Sequence, residues 1–368
     1  MRRELSAKHD ATIDVLRVLA LSSVLVAHLD DEQRDFVYYT LLDGNRLFFP
    51  IWAFFSTGGG GVALFFMISG YLVAHSLLNK STNLFLKSRF FRIYPTYIVA
   101  IIACKSLTGN GPESISDWIG SLTLLGDFWR SPPQLGGVSW TLNLEVYFSI
   151  SVAVLSLIFR RKNIRRVGSI QFCMILLLPL LVLVVVPIFP MDALGSVSIY
   201  APLFIPGIAV YFHEQKTIGN FHLLILSISA VFATFYNAFR LYKIQISYED
   251  LKFVSANQTH EGFAYAAYIL GALAIFLIMF RQRGKLGEIK LIRWFADHSY
   301  QLYLFHFWLI GWIVPRIEGK LMRAGVTNTA WNHFVSELAA FLCLAMTVAA
   351  SRKYLEKPFI RLGKNLGR

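Results

Sequence analysis

Long apolar runs, separated by short polar segments, make up nearly the whole chain. Ten runs can be drawn, at about 11–29, 48–78, 91–107, 138–159, 172–189, 198–212, 221–237, 262–280, 297–314 and 332–351. Each approaches the ~20 residues that a helix needs to cross a bilayer. The second run is too long for one straight span and predicts a bend at Gly58–Gly61. The sixth is short and holds Pro202 and Pro206, which predicts a kink. The expected fold is all-α: a polytopic membrane protein of about ten transmembrane helices. It forms a single membrane domain over residues 1–368, with no fused extracytoplasmic domain.

Charge sets the orientation. With the N-terminus placed in the cytoplasm, 24 of the 35 Lys and Arg residues fall in inside segments and 10 in outside segments, Arg17 being the remaining one. This asymmetry predicts both termini inside. The stretch Arg160-Arg161-Lys162-Asn163-Ile164-Arg165-Arg166 marks the same side. The net charge of +13 therefore reads as a topology signal and not as a nucleic-acid footprint. Composition agrees, with 55% hydrophobic and 15% charged residues against ~25% charged in soluble domains. Cys104, Cys173 and Cys343 fall singly inside apolar runs, with neither metal spacing nor an inferable disulfide. The first run carries Asp14 and Arg17 and lacks a small-residue cleavage site, unlike a cleaved signal peptide. Two outer loops stand out, about 108–137 and 238–261, the second containing the sequon Asn257-Gln258-Thr259.

Candidate chemistry begins in the first run. Arg17 and His28 are eleven residues apart, roughly 20° past three helical turns, so they share a face about 16 Å apart along the axis. Asp14 lies one turn before Arg17 and can pair with it. Ionisable groups in a membrane helix face the protein interior or a wet cavity. The glycines of Gly58–Gly61 admit two readings: a broken helix with open amides, or a close-packing surface of small residues. Arg89 and Arg92 are helix neighbours whose guanidiniums suit phosphate, or anchor the inner interface. Thr141, Glu145 and Ser149 make one polar stripe on the fourth run. Glu145 there is a functional candidate, or a buried partner for a basic residue of another helix. Ser299, Tyr303 and His306 share a face of the ninth run, where His306 is either active or a satisfied core histidine. Tyr354-Leu355-Glu356-Lys357-Pro358-Phe359 reads as structural.

Taken in order, these stretches resemble the acyltransferase 3 family of integral membrane proteins, typified by bacterial enzymes that O-acylate cell-surface and exported carbohydrates. Arg17 and His28, with ten residues between them, are similar to its Arg-x10-His signature. Gly61-Val62 through Phe65-Phe66-Met67-Ile68-Ser69-Gly70-Tyr71 resembles its second-helix motif, and Arg89-x-x-Arg92 with Ile93-Tyr94-Pro95 its Arg-x-x-Arg segment. Trp140-Thr141-Leu142 with Glu145 resembles its Trp-Ser-Leu-x-x-Glu motif, Thr141 standing where Ser is usual. Ser299-Tyr300 through His306 resembles its late Ser-Tyr-x-x-Tyr-x-x-His helix.

The resemblance implies transfer of an acyl group, acetyl by family precedent, from cytoplasmic acyl-CoA to a hydroxyl of a glycan or glycolipid. No metal is implied. The expected location is the bacterial inner membrane, with a separate extracytoplasmic partner or a homo-oligomer left open. Under this reading Arg17, Arg89 and Arg92 meet the donor phosphates, and His28 is a general base or a transient acyl carrier. Glu145 is the second catalytic candidate, with the tautomer of His28 as its suggested object. Amides near Gly58–Gly61 are candidates for the oxyanion. Asp14, Ser69, Trp140, Tyr303 and His306 are supporting residues, and Trp129 and Trp140 suit sugar stacking or, equally, an interfacial aromatic belt. The competing reading is a secondary transporter or glycan-export subunit with midplane charges, which predicts two related halves that the sequence does not display. A glycan-binding subunit is the third, and predicts that His28 is dispensable.

Overall fold

The computed structural model describes residues 10–28, 54–55, 57–126, 131–160, 199–245, 258–284 and 288–365. All regular structure among them is helical. The α-helices are α1 (Ala11–Ala27), α2 (Gly59–Asn79), α3 (Thr82–Thr108), α4 (Ile115–Thr123), α5 (Trp140–Arg160), α6 (Phe204–Glu214), α7 (Asn220–Gln245), α8 (Gln258–Arg281), α9 (Lys290–Arg323), α10 (Thr329–Ser351) and α11 (Lys357–Asn365). A 3₁₀ turn (Ala201–Leu203) leads into α6, and a π-turn (Arg352–Glu356) joins α10 to α11. Each expected apolar run that falls on described residues is helical. The run at 172–189, most of the basic stretch 160–166, Trp129, Cys173 and Asn257 lie outside the described residues. Segments within α2, α3, α7 and α10–α11 are long and apolar enough to cross a membrane, and the chain is a helical membrane protein.

Local sequence explains where helices begin and end. Asp10 caps α1 by accepting from the Thr12 amide at 3.0 Å. Ser81 caps α3, whose far end closes on Gly109 at φ +77°. Helix α3 thus starts nine residues before its apolar run, because Lys87, Arg89 and Arg92 continue the helix without being hydrophobic. Loop 108–137 holds an unexpected element, α4, set by a capping box between Ser114 and Asp117. Pro206 sits in the first turn of α6, where its missing N–H has no helical partner to lose. Pro358 sits just past the π-turn. A proline clashes with the carbonyl four residues back, and the wider turn, in which Lys357 N–H bonds Arg352 O, precedes it.

The helices group into two compact units. The first contains α1, α2 as far as His75, α6, α7, α8 and α9 as far as Ser299. Its seams are made by glycine. A Cβ on Gly70 would strike the Phe204 carbonyl, and one on Gly207 would strike the Met67 carbonyl, so α2 and α6 meet backbone to backbone. Beside this seam the Phe66 ring lies tilted against that of Phe204, ring centroids 5.0 Å apart. At its periphery Arg283 is ion-paired with Asp10 and with Glu214, the latter at 2.5 Å. Tyr71 donates to Glu214 at 2.8 Å and accepts from Arg283.

The second unit contains the end of α2, then α3, α4, α5, α9 from Tyr300, α10 and α11. Helices α3 and α5 pack together, and the π-turn and α11 pack along α3. Gly363 approaches Phe91 so closely that a Cβ would lie 2.7 Å from its ring. Tyr94 and Tyr97 donate to the carbonyls of Thr123 and Ser121, tying α4 to α3. Tyr300 donates to Ile93 O at 2.8 Å and Trp312 to Leu107 O at 2.6 Å, so α3 and α9 run side by side. Cys104 and Cys343 are free thiols.

Candidate functional site

In the first unit the candidates lie on α1 and α2. Asp14 is buried, Arg17 half-buried and His28 exposed. His28 closes α1, its amide donating to Leu25 O at 3.1 Å. Arg17 to Ala27 is therefore one helical segment capped by His28, and the eleven steps give the ~16 Å rise expected. Ser69 is half-buried on α2, next to the Gly70 seam.

The glycine stretch resolves toward close approach. Gly58 turns at φ +67° and α2 begins at Gly59. A Cβ on Gly61 would strike the Ala20 carbonyl of α1. Ser23 on α1 donates to Phe54 O at 2.6 Å and accepts from the Gly61 amide at 2.9 Å. The Gly59 amide donates to Thr57 Oγ1 at 3.3 Å. The amides of Gly59 and Gly61, offered above for an oxyanion, are thus engaged within the protein.

In the second unit Arg89 and Glu145 form an ion pair at 2.5 Å, with side chains 13% and 24% exposed. Of the two readings of Glu145, this geometry is that of a partner to a basic residue on another helix. Its described salt-bridge partner is Arg89, and Ser149 lies buried one turn along α5. Arg89 also lies over the Phe85 ring at 5.8 Å. Arg92 is half-buried on the same helix. Two cations that the sequence did not suggest complete the cluster. Lys80 lies between α2 and α3, and Lys364 follows Gly363, the residue against Phe91. Burial, and then the charges of Arg89, Lys364 and Arg92, hold the Lys80 ammonium below the usual lysine range. Three cations from two other chain segments thus act on Lys80, an accumulation of positive charge that favours a polyanion.

Further along the unit, Thr141 donates to Tyr303 at 2.9 Å, and Tyr303 donates to Val138 O at 3.2 Å. Trp140 is half-buried at the start of α5. His306 is buried, and its Nδ1 lies 2.9 Å from Tyr303 O and 3.2 Å from Leu302 O. A carbonyl only accepts, so this contact assigns the proton to Nδ1. In the first unit's share of α9, Ser299 turns back on Ala296 O at 2.9 Å. The structure thus joins Arg89 with Glu145, and Tyr303 with Thr141, within one unit, while Arg17, His28 and Ser69 belong to the other. Among the described residues no group of three His, Cys, Asp or Glu could hold a metal ion.

Comparison with known proteins supplies the context for these residues. No solved structure matches the chain. A curated relative, nodulation protein 10 of Rhizobium leguminosarum bv. viciae, is 27% identical over 189 residues, covering 43% of this chain and 47% of that protein. The chain thus spans about half the length of that relative. The family model of the acyltransferase domain matches residues 10–351, from the cap of α1 to the end of α10. The chain belongs to the acyltransferase 3 family.

Proposed function

We propose that the protein is a membrane O-acyltransferase that moves an acyl group, acetyl in the first instance, from cytoplasmic acyl-CoA to a hydroxyl of a cell-surface or exported glycan. The observation that carries the reading is the cationic cluster of Lys80, Arg89, Arg92 and Lys364 in a chain of this family. Such a cluster suits the phosphates of a CoA donor, with the planar guanidiniums binding in bidentate fashion and the ammoniums as point charges. Glu145 acts through Arg89, holding the guanidinium in place until phosphate arrives. Arg17, on α1 of the first unit, keeps the donor-phosphate role that the resemblance implies for it.

The reaction is assigned to His28. Its neutral imidazole takes the proton of the acceptor hydroxyl as that oxygen attacks the thioester carbonyl. The carbon–sulfur bond then breaks, the acyl group stays on the acceptor oxygen, and the imidazolium returns the proton to the CoA thiolate. The alternative, an acyl-imidazole on His28, forms without acceptor present. Both termini are placed in the cytoplasm, following the distribution of basic residues, and the protein in a bacterial inner membrane, following the family resemblance.

The test is incorporation of label from radiolabelled acetyl-CoA into the glycan fraction of membranes carrying the wild type or His28→Ala at equal abundance. His28 is exposed at a helix end, so the variant is expected to fold and to lose the label. Equal label in the variant would move the chemistry to another residue, His306 first. Label on protein alone, with acceptor withheld, would select the acyl-imidazole route.

A further inference from the structure

Two buried polar side chains of the second unit have no part in the site described so far. Gln301 and Thr96 are each 0% exposed. Among the described residues, neither the Gln301 amide nitrogen, nor its oxygen, nor Thr96 Oγ1 has a hydrogen-bond partner. Buried polar groups are almost always satisfied, and each orphan calls for an explanation. Between membrane helices the demand is stronger, since no bulk water is at hand.

The two orphans belong to one seam. Helices α3 and α9 are joined by Tyr300 to Ile93 and by Trp312 to Leu107, at sequence separations of 207 and 205, so they run in the same direction and nearly in step. Thr96 precedes Leu107 by eleven residues, and Gln301 precedes Trp312 by eleven. Eleven residues are roughly 20° more than three turns, so each orphan shares a helix face with a residue that bridges the seam. Tyr300, next to Gln301, and Ile93, one turn before Thr96, bridge it at the orphans' own level. Buried Tyr97, Ala100, Ile101, Leu304 and Phe305 flank the two residues along their helices. Thr96 follows Arg89 by seven residues, again roughly the same face and about 10 Å further along.

A carboxamide offers one acceptor and two donors in a plane, which complements a secondary amide. A hydroxyl beside it can donate or accept. The residues flanking the two orphans along their helices are mostly apolar, which suits a neutral ligand group, while Tyr300 beside Gln301 lies within electrostatic reach of Glu145, Glu356 and Arg92 at the charged end of the seam. Resting on the acyl-CoA donor assigned above, we infer that Gln301 and Thr96 are the binding site for an amide of the pantetheine arm. The arm is thin and extended, and its two amides lie between the diphosphate and the thioester, in the same order as Arg89 and the orphans along α3.

The experiment compares two probes by calorimetric titration of the full-length, detergent-solubilised protein: CoA, which carries the arm, and adenosine 3′,5′-bisphosphate, which carries phosphates without it. Gln301→Leu is expected to weaken CoA about tenfold and Thr96→Val about threefold, the scale of lost neutral hydrogen bonds. Both are expected to leave the bisphosphate affinity unchanged. The ligand-free melting temperature of Gln301→Leu is expected to equal or exceed that of the wild type, whereas a structural role would lower it. Should Gln301→Leu fail to accumulate, Gln301→Met and Thr96→Val carry the same comparison. Equal CoA affinity in wild type and variants would overturn the inference, the orphans then being satisfied by water, and leave the donor reading intact. Failure of the wild type to bind CoA would overturn the donor reading and the inference with it.

Discussion

The ion pair between Arg89 and Glu145 makes a quantitative claim. Its charges are mostly shielded from solvent, at 13% and 24% exposure, and their heavy atoms are 2.5 Å apart. Two unit charges about 4 Å apart attract by about 4 kcal/mol at an effective dielectric of ~20. Much of this is offset by the desolvation of both groups, so the intact pair adds little net stability. Removing one partner is different, because it leaves a sheltered charge uncompensated, at about 3–5 kcal/mol. Arg89→Met and Glu145→Leu should each destabilise by about 3 kcal/mol, and the double variant by about 3 rather than about 6 kcal/mol. Unfolding followed by tryptophan fluorescence, with eight tryptophans as reporters, supplies the four corners of the cycle. Additive losses would refute the pairing. The same pair makes a kinetic claim. If Glu145 acts through Arg89, Glu145→Gln raises the KM for acyl-CoA by about tenfold, the scale of one charge-assisted hydrogen bond, with kcat nearly preserved. A loss confined to kcat at saturating donor would return Glu145 to the reacting atoms.

Three other outcomes follow from contacts elsewhere. Gly207→Ala puts a methyl into the Met67 carbonyl and should destabilise by about 1–3 kcal/mol or more; thermal melts that match the wild type would refute the close seam. Arg283→Ala leaves Asp10, Glu214 and Tyr71 without their shared cation and should lose about 3 kcal/mol, with Arg283→Lys restoring only part; full rescue by lysine would show that the planar fork is not what the cluster uses. Hydrogen bonds from the Ser114 hydroxyl and amide hold the Asp117 carboxyl below the usual carboxylate range. A depressed carboxyl contributes stability that is present above its unfolded pKa and lost as pH falls through the folded one, so the protection of amides at the start of α4, taken relative to their intrinsic exchange rate at each pH, should fall as pH drops below about 4, and Asp117→Asn should lower it at neutral pH.

Much of this was legible in the sequence, and the limits have physical causes. Hydropathy located α1 and α10 almost to the residue, because their ends coincide with the change from apolar to polar. It truncated α3 and α9, because a helix continues on backbone hydrogen bonds where its side chains turn basic, through Arg89 and Arg92 in one case and past Pro315 in the other. Helix α4 was missed because nine residues under one capping box carry no long apolar run. Arg89, Arg92 and Glu145 stood out individually, but no local rule pairs residues separated by 56 positions. Lys80 and Lys364 carried no signal at all. Each reads as ordinary interfacial charge until α11 is seen to lie along α3. Gln301 sits inside a recognisable motif at one of its variable positions, and only its burial marks it.

The π-turn at Arg352–Glu356 has a geometric consequence for the tail. One added residue in a helix rotates everything after it by about 100° relative to what precedes it. The sequence from α10 into α11 can therefore be regarded as a single rod carrying an insertion, whose function is to change its heading. Excising one residue there would restore an even winding and turn α11 about its axis. Gly363 would leave Phe91, and Lys364 would swing out of reach of Lys80. The tail's charge is thus delivered to the cluster by a count of residues, and a frame change of one position would remove it while Lys364 itself stayed in the sequence.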